Sequence, residues 1–202
     1  MLIVAVLAVA VFVYNYKATA ANTEDPVIEM QREHQRSQVF FDPIGMATDG
    51  TDLHLWCQLC STFVNESSKH CGSCNRCSYE FDHHCNWLNT CVGFTNYNEF
   101  YRLIWTYLFF IIWFGIMAGF GLIEGSIYRK NVFLFFLITG ELLMAIVGFI
   151  AIIDLINMHR WLRGKNMTTF EYIIYSRELS KTSLEVKVRI SSNNLFCVFL
   201  LF

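Results

Sequence analysis

Long uncharged runs and polar stretches alternate along this chain of 202 residues. Leu103 to Ile123 holds 21 residues without a single charged side chain. As a helix it would rise roughly 31 Å, matching a hydrocarbon core of about 30 Å. Val132 to Ile153 is a second such run, interrupted only by Glu141. The short stretch between them carries Gly125, Arg129 and Lys130, which predicts an antiparallel pair of membrane-spanning helices over 103–123 and 132–153. A third apolar run occupies Met1 to Tyr16. No positive charge precedes it, although Ala18-Thr19-Ala20 resembles a signal cleavage site. We read 1–20 as a short transmembrane helix at a truncated N-terminus. The apolar tail Leu195 to Phe202 is only eight residues long and cannot span a bilayer as a helix.

Composition agrees with the pattern. Hydrophobic residues make up 54% of the chain and aromatics 16%, too apolar for a soluble protein of this size. Orientation follows from basic residues: Arg160, Arg163, Lys165, Arg177, Lys181, Lys187 and Arg189 follow the second span, against Arg129 and Lys130 in the hairpin loop. The positive-inside rule then places residues 154–202 in the cytosol, and two crossings return residues 21–98 to the same side. That preceding segment is polar and acid-rich, with Glu24, Asp25, Glu29, Glu33, Asp42, Asp49 and Asp52 near its start, and the whole chain carries a net charge of -2. A nucleic-acid partner is excluded, because phosphate backbones select for a basic surface.

A polar segment this poor in apolar residues needs a staple. Seven of the eight cysteines fall between Cys57 and Cys91, interleaved with His70, His83 and His84. Cys57, Cys60, His70, Cys77 and Cys71, Cys74, His84, Cys91 superpose with an offset of 14 at every position. Each set reads Cys-x-x-Cys, nine residues, His, six residues, Cys. Three thiolates and one imidazole suit closed tetrahedral structural zinc, so two zinc ions are expected. The spacing alone leaves open whether His83 or Cys85 replaces a member of the second set.

Asp82, His83 and Cys85 remain outside the two sets. In an extended segment alternate side chains share a face, so His84 turned towards a metal would leave His83 and Cys85 together on the other side. A thiolate beside an imidazole, itself oriented by a carboxylate, is a nucleophile able to attack a thioester.

The run Asp82-His83-His84-Cys85, preceded by His70-Cys71 and the spaced cysteines and followed by Asn89, Cys91, Gly93 and Asn96, resembles the cysteine-rich domain of DHHC protein palmitoyltransferases. The resemblance covers about Asp25 to Glu171, with the zinc domain at 57–93. Asp25-Pro26 is similar to the start of the family's DPG motif, and Thr168-Thr169-Phe170-Glu171 to its TTxE motif. Asn86 stands where most members carry proline, which resembles a divergent subgroup. Most members also have four transmembrane helices, where three apolar segments are visible here.

The resemblance implies an α-helical multi-pass membrane protein of the endoplasmic reticulum or Golgi, with a small zinc-stapled domain facing the cytosol between transmembrane helices. It implies a ping-pong reaction: Cys85 takes a long acyl chain from palmitoyl-CoA and passes it to membrane-proximal cysteines of protein substrates, in a monomer or an oligomer. His83 would be the base, Asp82 its orienter and Thr169 a support for Asp82, while the acyl chain would lie between the transmembrane helices. The alternative is an inactive or truncated membrane adaptor whose zinc domain binds proteins. Three further features carry two readings each. Glu141 is a functional candidate within a span or a protonated packing residue. Arg160, Arg163 and Lys165 are CoA phosphate ligands or ordinary positive-inside anchors. Cys197 is an S-palmitoylation site or a passive thiol.

Overall fold

The computed structural model describes residues 2–37, 54–123 and 132–182. Arg129, Lys130, Asp42, Asp49, Asp52, Lys187, Arg189, Cys197 and the apolar tail lie outside the described residues. The chain divides into two compact units. Among the described residues, a helical unit comprises 2–16, 99–123 and 132–165, and a cysteine-rich unit comprises 17–37, 54–98 and 166–182.

The helical unit is built from α1 (Leu2–Ala20), α3 (Tyr97–Ile123) and α4 (Val132–Gly164). Among the described residues these are the three helices long and apolar enough to cross a membrane, and we describe the chain as a multi-pass membrane protein. Most of their Phe, Leu, Ile and Val side chains point outward, the arrangement a lipid solvent permits and water does not. α3 and α4 approach through small residues: Gly115 lies opposite the Cβ of Ala145, and Gly148 opposite Ile111. Towards the polar ends, the Phe100 and His159 rings meet edge-on with centroids 5.1 Å apart. The Arg163 guanidinium lies 4.5 Å over the Tyr101 ring. Glu141 sits on the exposed face of α4.

Both long helices exceed the apolar runs that announced them. α3 starts at Tyr97 rather than at 103, and α4 continues to Gly164 rather than stopping at 153. Hydropathy registers only the part of a helix that meets lipid. Beyond it α4 becomes amphipathic, burying Ile156, His159 and Leu162 on one face, and no Pro interrupts it before Gly164.

In the cysteine-rich unit, α2 (Pro26–Ser37) precedes six short strands, β1 (His54–Cys57), β2 (Thr62–Asn65), β3 (Lys69–Cys71), β4 (Arg76–Ser78), β5 (His83–Cys85) and β6 (Thr90–Val92), and α5 (Thr169–Thr182) follows. The strands pair as three antiparallel hairpins, β1–β2, β3–β4 and β5–β6. Two-stranded hairpins are marginal by themselves. A small buried hydrophobic cluster in this unit joins Ile28, Val64 and Cys77, with Cys57 and Cys60 packed against it.

Buried polar groups supply the rest of the framework. Asp25 caps α2, its Oδ1 accepting the Val27 amide at 2.8 Å just after Pro26 opens the helix. The same carboxylate accepts the Asn65 amide at 2.8 Å, the Asn65 side chain at 3.1 Å and the Ser68 hydroxyl, so one acid joins α2 to the end of β2. Asn96 does similar service around β6: its amide donates to the carbonyls of Cys91 and Ala18 at 2.9 Å, and its oxygen accepts the Gly93 amide at 2.9 Å. At Gly93 a Cβ would lie 2.6 Å from the Tyr79 carbonyl oxygen, so no larger residue fits that approach.

Candidate active site and metal centres

Two quartets of ligand atoms converge, Cys57, Cys60, His70, Cys77 in one and Cys71, Cys74, His84, Cys91 in the other, all atoms of a group within 4.8 Å of one another. The hairpins produce this directly. The turns after Cys57 and Cys71 present two cysteines each, and cross-strand pairing sets His70 opposite Cys77 and His84 opposite Cys91. In the first quartet the sulfurs of Cys57, Cys60 and Cys77 lie 3.8, 3.3 and 3.8 Å from His70 Nδ1. In the second, those of Cys71, Cys74 and Cys91 lie 3.6, 3.4 and 3.9 Å from His84 Nδ1. Tetrahedral zinc, with Zn–S of about 2.3 Å and Zn–N of about 2.0–2.1 Å, requires edges of roughly 3.5 Å between sulfur and nitrogen and roughly 3.8 Å between sulfurs. The observed spacings fit. Sulfurs 3.6 Å apart at Cys60 and Cys77 are far outside disulfide range.

Electrostatics favour a cation at each centre. Burial pushes the Cys77 and Cys91 thiols up, and neighbouring sulfurs of the same quartet push them further. A dication reverses that balance and draws the thiolates out. Burial and the nearby His83 charge push His84 down, which keeps its imidazole neutral, as a metal ligand must be.

The other face of β5 carries different chemistry. His83 and Cys85 are buried and His84 lies on the opposite side. His83 Nδ1 bonds to Asp82 Oδ2 at 2.6 Å. Asp82 is buried and held from a distance in sequence: its Oδ1 accepts the Thr169 amide at 2.9 Å and its Oδ2 the Thr169 hydroxyl at 2.8 Å. Thr168 and Glu171 form a capping box around the start of α5, the Thr168 hydroxyl accepting the Glu171 amide at 3.1 Å and the Glu171 carboxylate accepting the Thr168 amide at 2.8 Å. The next amide, that of Thr169, has no partner inside the helix and is directed at Asp82. The local motif thus orients a helix N-terminus towards a carboxylate, where the helix dipole adds to the hydrogen bonds. The Phe81 ring meets Phe170 edge-on at 5.8 Å beside it.

The protonation pattern follows from these contacts. Burial opposes charge on His83, but the bond to Asp82, its negative charge and the neighbouring Cys85 sulfur outweigh it and raise the imidazole to about 9. Burial likewise opposes ionisation of Cys85. The neighbouring His83 imidazolium, with the Leu88 and Trp87 amides, outweighs it and holds the thiol below its ordinary value. These contacts favour a thiolate–imidazolium pair braced by a carboxylate.

All eight expected metal ligands are brought together, and Asp82, His83, Cys85 and Thr169 form a separate connected set. Neither His83 nor Cys85 belongs to the second quartet. Sequence reasoning missed the part Asp25 plays: an acid followed by Pro is a helix-start signal, and here its remaining oxygen fastens a hairpin.

The family model for DHHC palmitoyltransferase matches residues 50–176, and the chain belongs to that family. It is 37% identical over 112 residues to palmitoyltransferase ZDHHC17 of Rattus norvegicus, covering 54% of this chain and 18% of that protein. It is 33% identical over 150 residues to probable protein S-acyltransferase 20 of Arabidopsis thaliana, covering 63% and 20%. With palmitoyltransferase SWF1 of Kluyveromyces lactis the identity is 29% over 157 residues, covering 69% and 48%. The chain therefore spans between about a fifth and a half of the length of these relatives.

Proposed function

We propose that this chain is a protein-cysteine S-acyltransferase that works through an acyl-Cys85 intermediate, with palmitoyl-CoA as donor and membrane-proximal protein cysteines as acceptors. The observation that carries the reading is the buried series Thr169–Asp82–His83–Cys85, set on the face of β5 opposite the metal quartet. Family membership and the names of the relatives support the same chemistry.

In the first half-reaction the Cys85 thiolate attacks the thioester carbonyl carbon of acyl-CoA. A carbon–sulfur bond to Cys85 forms, the bond to the CoA sulfur breaks, and the departing thiolate takes the proton from His83 Nε2. In the second, an acceptor cysteine yields its proton to His83 as its sulfur attacks the acyl carbonyl, and Cys85 leaves as thiolate. Asp82, fixed by Thr169, keeps the imidazole oriented in both. Zinc in the two quartets would hold the hairpins in register, with Cys57, Cys60, His70 and Cys77 at one ion and Cys71, Cys74, His84 and Cys91 at the other. The reading places the cysteine-rich unit on the cytosolic side of an endoplasmic reticulum or Golgi membrane, where zinc thiolates stay reduced and acyl-CoA is present.

The test uses the full chain purified in detergent and exposed to labelled palmitoyl-CoA. A hydroxylamine-sensitive adduct is expected, with Cys85→Ser lowering it by about 10³-fold or more while bound zinc is unchanged. Absence of any adduct in the intact, zinc-loaded chain would leave an adaptor function, and an adduct surviving Cys85→Ser would place the nucleophile elsewhere.

A further inference from the structure

The hairpins of the cysteine-rich unit repeat three times, one more than the metal quartets. Cys57, Cys71 and Cys85 each end a first strand and pair with Thr62, Arg76 and Thr90, successive copies being offset by 14 residues. Each turn closes through a left-handed residue at the same place, Ser61 (φ 50°), Asn75 (φ 49°) and Asn89 (φ 50°). The pairs Trp56–Phe63, His70–Cys77 and His84–Cys91 follow with the same spacing. Three residues after the opening cysteine, the first two hairpins place Cys60 and Cys74; the third places Leu88, which is 9% exposed. The remaining positions of a third quartet would be 98 and 105, occupied by Asn98 and Trp105. The third hairpin therefore keeps the backbone of a metal-binding turn and one of its four ligands.

The hydrogen bonds of such a turn are kept as well. In the first hairpin the Cys60 amide points at the Cys57 sulfur at 3.5 Å. In the third the amides of Trp87 and Leu88 occupy the corresponding places and favour the Cys85 thiolate. Donors that would steady a metal-bound sulfur in one copy thus face a sulfur outside both quartets in another.

We infer that Leu88 is the positioning residue that keeps Cys85 free of metal. The inference rests on Cys85 being the acyl-carrying sulfur. Its danger is zinc: Cys85 and His83 already make two donors, and a second sulfur at position 88 would complete a Cys-x-x-Cys turn on a backbone preformed for it. Zinc has to reach this domain to fill the neighbouring quartets, and a zinc-bound sulfur is a poor nucleophile. Leucine offers no donor and fills the place that Cys60 and Cys74 occupy in the other copies.

The test is zinc counted per chain, together with adduct formation, in the full-length protein. Wild type is expected to hold one zinc per quartet and no more. Leu88→Cys is expected to gain one further zinc and to lose adduct formation by about 100-fold. Mild chelation that removes the additional ion should restore the adduct, and Leu88→Cys combined with Cys85→Ser should lack that ion. Leu88→Val, which also offers no donor, should bind no more zinc than wild type. The inference is overturned if Leu88→Cys takes up no further zinc, whether or not its adduct is lost. It is equally overturned if wild type itself binds a further zinc at Cys85 and is inhibited by it. That wild-type measurement, and Leu88→His as a second donor-bearing variant, decide the matter should Leu88→Cys fail to fold. A missing wild-type adduct would sink the acyltransferase reading instead, while the zinc counts would still report on Leu88.

Discussion

In the cysteine-rich unit the strands are three or four residues long, and the buried cluster that joins α2 to the hairpins contains Ile28, Val64 and Cys77. In the helical unit α3 and α4 run for 27 and 33 residues, and their outward side chains are Phe, Leu, Ile and Val. The first unit is held by directed contacts: ligand atoms at fixed edges, a carboxylate shared by α2 and β2, and an asparagine bridging three backbone groups. The second is held by packing of deformable side chains. Directed contacts fix atoms to a fraction of an ångström, as a nucleophile and its base require, but they fail abruptly. Packing yields and recovers.

The largest expected contrast comes from metal removal. A structural zinc can contribute about 10–16 kcal/mol to a small domain. Stripping both ions with a strong chelator is expected to unfold the hairpins and abolish adduct formation, while the helical signal in circular dichroism falls by no more than about a quarter, the share that α2 and α5 contribute. Persistence of protected hairpin amides in hydrogen exchange after chelation would remove the basis of the comparison.

Adding one methyl group to each unit sharpens it. Gly93→Ala puts a carbon 2.6 Å from the fixed Tyr79 carbonyl, and a loss of about 3 kcal/mol is expected. Gly148→Ala meets the end of the Ile111 side chain at 3.3 Å, which can rotate aside, and a loss below about 1 kcal/mol is expected. Chemical denaturation in detergent checks both, and equal losses would erase the distinction.

The last effect falls on chemistry rather than folding. Thr169→Ala removes one hydroxyl bond to Asp82 and leaves the amide bond, so His83 is braced less firmly. The expected result is about a 10-fold slower adduct near neutral pH, as for loss of one charge-assisted bond. The sign follows from the charges. A weaker imidazolium holds Cys85 less far below its ordinary value, so the thiolate forms at higher pH and the rising limb of the rate profile moves up. The deficit should shrink as pH rises. Thr169→Ser should recover the rate, and an unshifted profile would show that Thr169 serves folding alone.

The ligand quartets are legible in the sequence because metal ligation fixes residue type and spacing together; the offset of 14 from Cys57 to Cys71 persists through all four positions. The apolar lengths of α3 and α4 are legible for a similar reason, since lipid sets a length. Their polar ends are not, because Phe100, His159 and Leu162 read as ordinary amphipathic positions. Two short helices were overlooked although their caps are written out, Asp25-Pro26 before α2 and the Thr168–Glu171 box before α5. The third hairpin hid behind Leu88: a search for cysteines passes over it, and the common element is the left-handed Ser61, Asn75 and Asn89.

The second quartet's Cys71 and Cys74 lie inside the stretch that joins His70 to Cys77 of the first. Neither loop can be closed without half-ordering its neighbour, so the two behave as links of one chain. Loading by a divalent ion should then be close to all-or-none, with singly filled molecules scarce at every stage of a titration. A cell short of zinc would accordingly hold fewer complete molecules and few crippled ones.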